Sequence, residues 1–294
     1  MYQQLSKRKT VLFSLFVVVS MLACISLIPG AGNQPDSEAT QAGAESQSTD
    51  LPPQATATLD AEGRIKSANI LVYENTIGQE IALTSIIQNA LDEMGMKYTQ
   101  TGSDSGIFMD HLKSDSIYDL IIVGAEAKNK PITGVFWDEI FTRMTRDNAA
   151  MIAEIWNLDT EANGPISKIL EGCGIRYQKD YPVGGSIYWW DETHPIFNEP
   201  NVVPPLLHYG PYWKKQAGDR IRLADGGDAT LLAGLAVASS NDEAVLATCY
   251  GGRVIIQTFS DHDYGQDNQD IGILVPLWEN YIHYTLKNKF AAAP

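Results

Sequence analysis

Tyr118-Asp119-Leu120-Ile121-Ile122-Val123-Gly124 decides the architecture. Its apolar core shows no polar alternation, the pattern of a strand covered on both faces in a parallel sheet. Upstream, Ala68 to Tyr73 reads as another short apolar strand. Gln79 to Met94 then places Ile81, Leu83, Ile86, Ile87, Ala90, Leu91 and Met94 at helical spacing, Gly95 ends that helix, and Lys97 to Thr101 forms a second strand. Downstream, Thr133 to Thr145 predicts a helix and Ala149 to Trp156 a buried strand. Pro165 to Gly172 predicts a short helix whose end is marked by Gly172 and Gly174. Strands alternating with helices over short connections give an α/β fold with a doubly wound, mostly parallel, flavodoxin-like sheet.

The middle differs. From about Tyr181 to Asp228 the chain is rich in Pro, Gly and aromatics, including Tyr188-Trp189-Trp190 and Tyr209-Gly210-Pro211-Tyr212-Trp213. It reads as an insertion of strands and loops against one end of the sheet. Glu243 to Tyr250 and Arg253 to Phe259 then form a hairpin turning at Gly251-Gly252. A final helix from Ile273 to Lys287 turns Leu274, Leu277, Trp278, Tyr281, Ile282 and Leu286 inward.

The N-terminus speaks to location. Lys7, Arg8 and Lys9 precede an uncharged apolar run from Val11 to Ile28, the layout of an export signal. Met21-Leu22-Ala23-Cys24 resembles a bacterial lipoprotein cleavage box, with Cys24 as the lipid-modified residue. The alternatives are an uncleaved anchor, since 18 apolar residues span roughly 27 Å as a helix, and plain secretion. All three place the rest of the chain outside the cytoplasm. Residues 29–63 carry Gln, Ser, Thr, Ala, Pro and acids with few large apolar side chains, and read as a flexible stalk. The expected organisation is an anchor at 1–28, a stalk at 29–63 and one folded domain at 64–290.

Setting Lys7, Arg8 and Lys9 aside from the 21 basic residues leaves 18 against 36 acidic ones, a net charge of −18. That surface repels phosphate backbones and anionic headgroups, which excludes nucleic acid as a partner and leaves membrane contact to the N-terminal tether. Beyond Cys24 there remain Cys173 and Cys249, which read as two buried free thiols, with pairing in an oxidising compartment as the alternative. No cofactor device is evident: Asn75-Thr76-Ile77-Gly78, after the first strand, offers one glycine where a phosphate loop needs several.

Four stretches, in order, resemble class I glutamine amidotransferase-like domains, closest to the ThuA-like branch. They are Asn69 to Tyr73 leading into the helix that ends at Met94-Gly95; Tyr118 to Val123; His194-Pro195-Ile196-Phe197; and Gly251 to Phe259 with Asp261-His262-Asp263 and Trp278 to Ile282. The departure is chemical. That family carries a nucleophilic cysteine on a Gly-x-Cys-x-Gly turn after a central strand. Here Ala149 to Trp156 runs into Asn157-Leu158-Asp159, with no cysteine, serine or flanking glycine. Glutaminase chemistry is therefore not expected.

Ligands of such sheets gather where the strands end, near the point at which strand order reverses. Those ends supply Glu74, Asn75, Glu126, Asn157, Asp159, Asp261, His262 and Asp263, and His194 is expected to reach the same rim from the insertion. The Trp and Tyr clusters could wall it. One reading is a non-catalytic recognition or scaffold module for a small polar ligand or saccharide. The alternative is a carbohydrate-active or metal-dependent hydrolase, with His262 and Glu126, Asp159 or Asp261 as acid and base, or Asp261, His262 and Asp263, with His194, holding a divalent metal. His111 reads as an exposed helix residue, His208 and His283 as structural.

Overall fold

The computed structural model describes residues 59–75, 85–125, 134–181, 185–209, 218–261 and 271–291. The anchor with Cys24, most of the stalk, Glu126, His262 and Asp263 lie outside the described residues. Among those described, no helix is long and apolar enough to cross a membrane.

Five strands form the parallel half of the sheet: β1 (Ile70–Glu74), β2 (Tyr98–Gln100), β3 (Leu120–Ala125), β4 (Ala150–Ile155) and β11 (Val254–Gln257). They lie side by side in the order β2-β1-β3-β4-β11. Because period-2 alternation sends successive side chains to opposite faces, each strand contributes to two cores. Val72, Ile122, Ile152 and Ile255 belong to one, under α2 (Ile86–Glu93) and the last helix α7 (Leu274–Ala291). Leu71, Ile121, Met151 and Ile256 belong to the other, with Phe108 of α3 (Ser105–Lys113), Trp137 of α4 (Phe136–Arg146) and Ile169 of α6 (Ser167–Cys173). The expected doubly wound α/β fold is present.

Past β11 the sheet turns antiparallel. The hairpin to β10 (Ala244–Cys249) closes through Tyr250, Gly251 and Gly252, all at positive φ, and glycine at two of these positions removes the Cβ clash. From β10 the sheet runs on through β9 (Thr230–Gly234), β6 (Gly185–Trp189) and β7 (Leu206–Tyr209), while β8 (Gly218–Leu223) joins β10 to β5 (Ile175–Tyr181). The Pro- and aromatic-rich segment thus continues the sheet sideways instead of sitting against one end. β10 is therefore an interior strand, its backbone groups satisfied by ladders on both sides.

Two expectations change. His111 is half-buried, and its Nδ1 lies 2.8 Å from the Tyr118 hydroxyl. Cys173 and Cys249 are not free thiols but a disulfide, with Cα atoms 5.2 Å apart and 76 residues between them in sequence. Cys173 ends α6, just before Gly174 in the left-handed region, and Cys249 ends β10. The bridge therefore ties the helical layer to the antiparallel half of the sheet. Reduction, or the Cys173→Ala/Cys249→Ala double variant, should cost about 2–5 kcal/mol in denaturant unfolding. Thiol titration of the unreduced, unfolded chain should find neither cysteine reactive.

Candidate functional site at the carboxyl edge

Strand order reverses between β1 and β3, since β2 flanks β1 on one side and β3 on the other. At the carboxyl end of this region the register aligns Glu74 with Gly124, Gly124 with Glu154, and Glu154 with Gln257. These residues lie two positions beyond Val72, Ile122, Ile152 and Ile255, so their side chains share the face under α2 and α7. The last polar row of the parallel sheet is thus two glutamates and a glutamine, with glycine between the glutamates.

The row is buried. Glu74 and Glu154 are each 2% exposed, and Gln257 and Asp261 are 0% exposed. The backbone N–H of Ile87, in the first turn of α2, donates to Glu74 Oε1 at 3.2 Å, so a carboxylate sits at the positive end of that helix. Asp261 ties the other end together. Its backbone N–H donates to Glu154 Oε1 at 2.8 Å, and its carboxylate accepts from Gln257 Nε2 at 2.9 Å and from the indole N–H of Trp278 on α7. Beside them stands Tyr281, fully buried, whose phenol is pushed well above its ordinary pKa by burial and by the charges of Asp261 and Glu154. Among the described residues, neither the Tyr281 hydroxyl nor Gln257 Oε1 has a hydrogen-bond partner. Buried polar atoms are seldom left so, because each forfeits its hydration without return.

Gly124 makes the row possible. A methyl group there would lie 2.7 Å from Ile87 Cδ1 and 3.6 Å from Glu74 Cγ. Its absence lets α2 come down onto the sheet while Glu74 lies alongside.

Of the residues expected at the rim, Glu74, Asn75, Asn157 and Asp261 are at the carboxyl edge, and all are buried rather than lining an open rim. Asn157 opens the short helix α5 (Leu158–Glu161); its Nδ2 donates to Thr160 Oγ1 at 3.2 Å, and its Oδ1 has no partner among the described residues. Asp159 joins a different group. Its backbone N–H donates to the buried Asp219 on β8 at 2.8 Å, and its carboxyl is raised by partial burial and by the charge on Asp180 of β5. His194 does not reach the row. Its Nδ1 accepts from the Ile196 N–H at 3.2 Å, capping the turn Pro195–Phe197, and its ring packs 5.1 Å from that of Tyr284. Tyr284 is six residues along α7 from Trp278, a rise of about 9 Å. Burial lowers the His194 imidazole below its ordinary pKa.

The aromatic wall changes as well. Trp189 stacks on Phe197 at 4.3 Å and donates its indole N–H to the Val203 carbonyl, and Trp190 donates to the Ala236 carbonyl. Both serve packing. The side chains of the Tyr209 to Trp213 cluster, and Glu126, His262 and Asp263, fall outside the described residues. Among those described, no three His, Cys, Asp or Glu side chains are grouped to hold a metal ion.

Sequence reading passed over Glu154, Gln257 and Trp278. The signal for Glu154 was present: a single acid inside the otherwise apolar Ala150–Ile155. β4 then leads through Trp156 and Asn157 into α5, with no thiol or hydroxyl nucleophile at the turn, and both described cysteines are oxidised.

No family model and no curated protein matches the chain. Among solved structures it is similar to PurLQS from Thermotoga maritima, at 12% identity over 75% of this chain and 98% of that one, with a TM-score of 0.44. It is similar also to a ThuA-like protein from Bacteroides uniformis, at 14% identity over 74% and 92%, TM-score 0.42. A third is the glutaminase domain of Trypanosoma brucei CTPS, at 9% identity over 76% and 95%, TM-score 0.44.

Filling the gap at Gly124 should cost little, because the clash is with the movable tip of the Ile87 side chain. Gly124→Ala should destabilise the protein by about 1 kcal/mol or less, read as a small fall in the urea midpoint with an unchanged slope.

Proposed function

We propose that this chain is an exported, membrane-tethered recognition module that binds a small polar ligand, a saccharide by class, at the carboxyl edge, without amidotransferase chemistry. The observation that carries the reading is the row Glu74-Glu154-Gln257 with Asp261 at the point of strand reversal, where α/β sheets hold ligands. Acceptor oxygens dominate it, and Gln257 Oε1 and the Tyr281 hydroxyl, buried and without partners among the described residues, are the atoms that a ligand hydroxyl entering the row would bond. The missing nucleophile after β4 and the oxidised cysteines argue against acyl-enzyme chemistry. Export and tethering rest on the basic segment Lys7 to Lys9, the apolar run, Cys24 and the stalk composition.

A thermal-shift series on the purified full-length chain tests this. Mono- and oligosaccharides are screened beside divalent cations. A ligand present at 100 times its Kd should stabilise the protein by about 2.7 kcal/mol. Tyr281→Phe removes an unpartnered oxygen, so the free protein should unfold within about 1 kcal/mol of wild type while the ligand-induced shift shrinks. If no saccharide moves the transition, or if Tyr281→Phe responds like wild type to one that does, the reading is wrong. Product release from any bound sugar would move the chain to the hydrolase alternative.

A further inference from the structure

At the opposite end of α2 from Glu74 there is a cavity of about 450 Å³. It lies between α1 (Ala61–Lys66), the last turn of α2 and the outer side of α7, with Asn201 at its margin. Ile87 meets Glu74 in the first turn of α2, and Glu93 lines this cavity in the last, a separation of about 9 Å along the axis. The volume is that of a small-molecule site.

Its chemistry is lopsided. Three carboxylates line it, Glu62, Glu93 and Glu279, against the single ammonium of Lys66. His283 bonds Glu62 at 3.1 Å through Nε2 and is 12% exposed. The α2 terminus adds to the imbalance. A helix ends in a partial negative charge that basic residues ordinarily offset. The last turn of α2 has none, and instead ends in Asp92 and Glu93. Glu279 registers the result: partial burial raises its carboxyl above the usual range, and the charge on Glu93 adds to this, while the Asn201 amide, 2.5 Å away, pulls it down. The floor is apolar and adaptable. Ile65, Met94 and Met96 line it, and unbranched thioether side chains reshape readily around an alkyl group.

We propose that this cavity binds a small organic cation, a primary alkylammonium with a short apolar body. The ammonium sits between Glu93 and Glu279, offsetting charges that now repel one another. The alkyl part lies on Met94 and Met96. This site is separate from the carboxyl edge, so either can fail without the other.

Calorimetric titration of the full-length chain at low ionic strength tests it, with n-hexylamine, hexan-1-ol and hexanoate as probes. Hexylamine should bind saturably at one site, hexan-1-ol about tenfold more weakly or worse, and hexanoate not at all. Glu279→Gln should weaken hexylamine about tenfold. Glu93→Gln, at an exposed position whose loss leaves the fold intact, should weaken it several-fold and raise the melting temperature slightly by relieving the α2 terminus. Nα-acetyl-lysine amide supplies the same ammonium from a protein source. Binding as tight as that of hexylamine supports the site with a peptide lysine as occupant, and markedly weaker binding supports it with a free amine. Equal affinity for hexylamine and hexan-1-ol overturns the proposal, as does wild-type affinity in both variants.

Discussion

Backbone hydrogen bonding in register across β1, β3, β4 and β11 is the constraint from which the candidate site follows. Side-chain direction in a sheet has a period of two, so a slip of one residue between any neighbouring pair would send Glu74, Glu154 or Gln257 to the opposite core. The apolar residues below fix the register. Val72, Ile122, Ile152 and Ile255 gain burial under α2 and α7 only when they share a face, and the polar row is carried two positions further on the same four strands. Charged groups would not choose so buried a location for themselves. They are held there by a core that prefers this alignment, and the hydrogen bonds from Ile87, Gln257 and Trp278, with the one from the Asp261 backbone, then compensate part of their lost hydration.

Much of this architecture was legible. β1, β3 and β4 are continuous apolar runs, and the hairpin turn is marked by paired glycines, so local pattern suffices for both. That the ends of β1 and β4 would share an edge follows from parallel connection alone. What could not be read depends on distance in space. Cys173 and Cys249 look like ordinary core thiols in their own segments, and only the folded chain brings the end of α6 and the end of β10 within bonding range. His194 is a polar residue of the insertion expected to reach the rim, yet six residues of α7 separate its neighbour Tyr284 from Trp278. Glu154 was hidden by the opposite error: an acid in a buried strand invites dismissal as an exception, although a buried charge is the more informative residue.

α2 illustrates how one short element serves several ends. Its apolar side, Ile86, Ile87, Ala90 and Leu91, seals the sheet; its first turn offers an N–H to Glu74; its last turn brings Glu93 to the cavity. Gly124 leaves room for the Ile87 side chain beside Glu74, so the first turn can lie close on the sheet.

The Cys173–Cys249 bridge has a topological corollary. β5 through β10 all fall inside the covalent ring that it closes. A protease that severs the backbone once anywhere between those cysteines produces two pieces that still migrate as one molecule until a reductant is added. Nicked inside that ring, the chain stays covalently undivided.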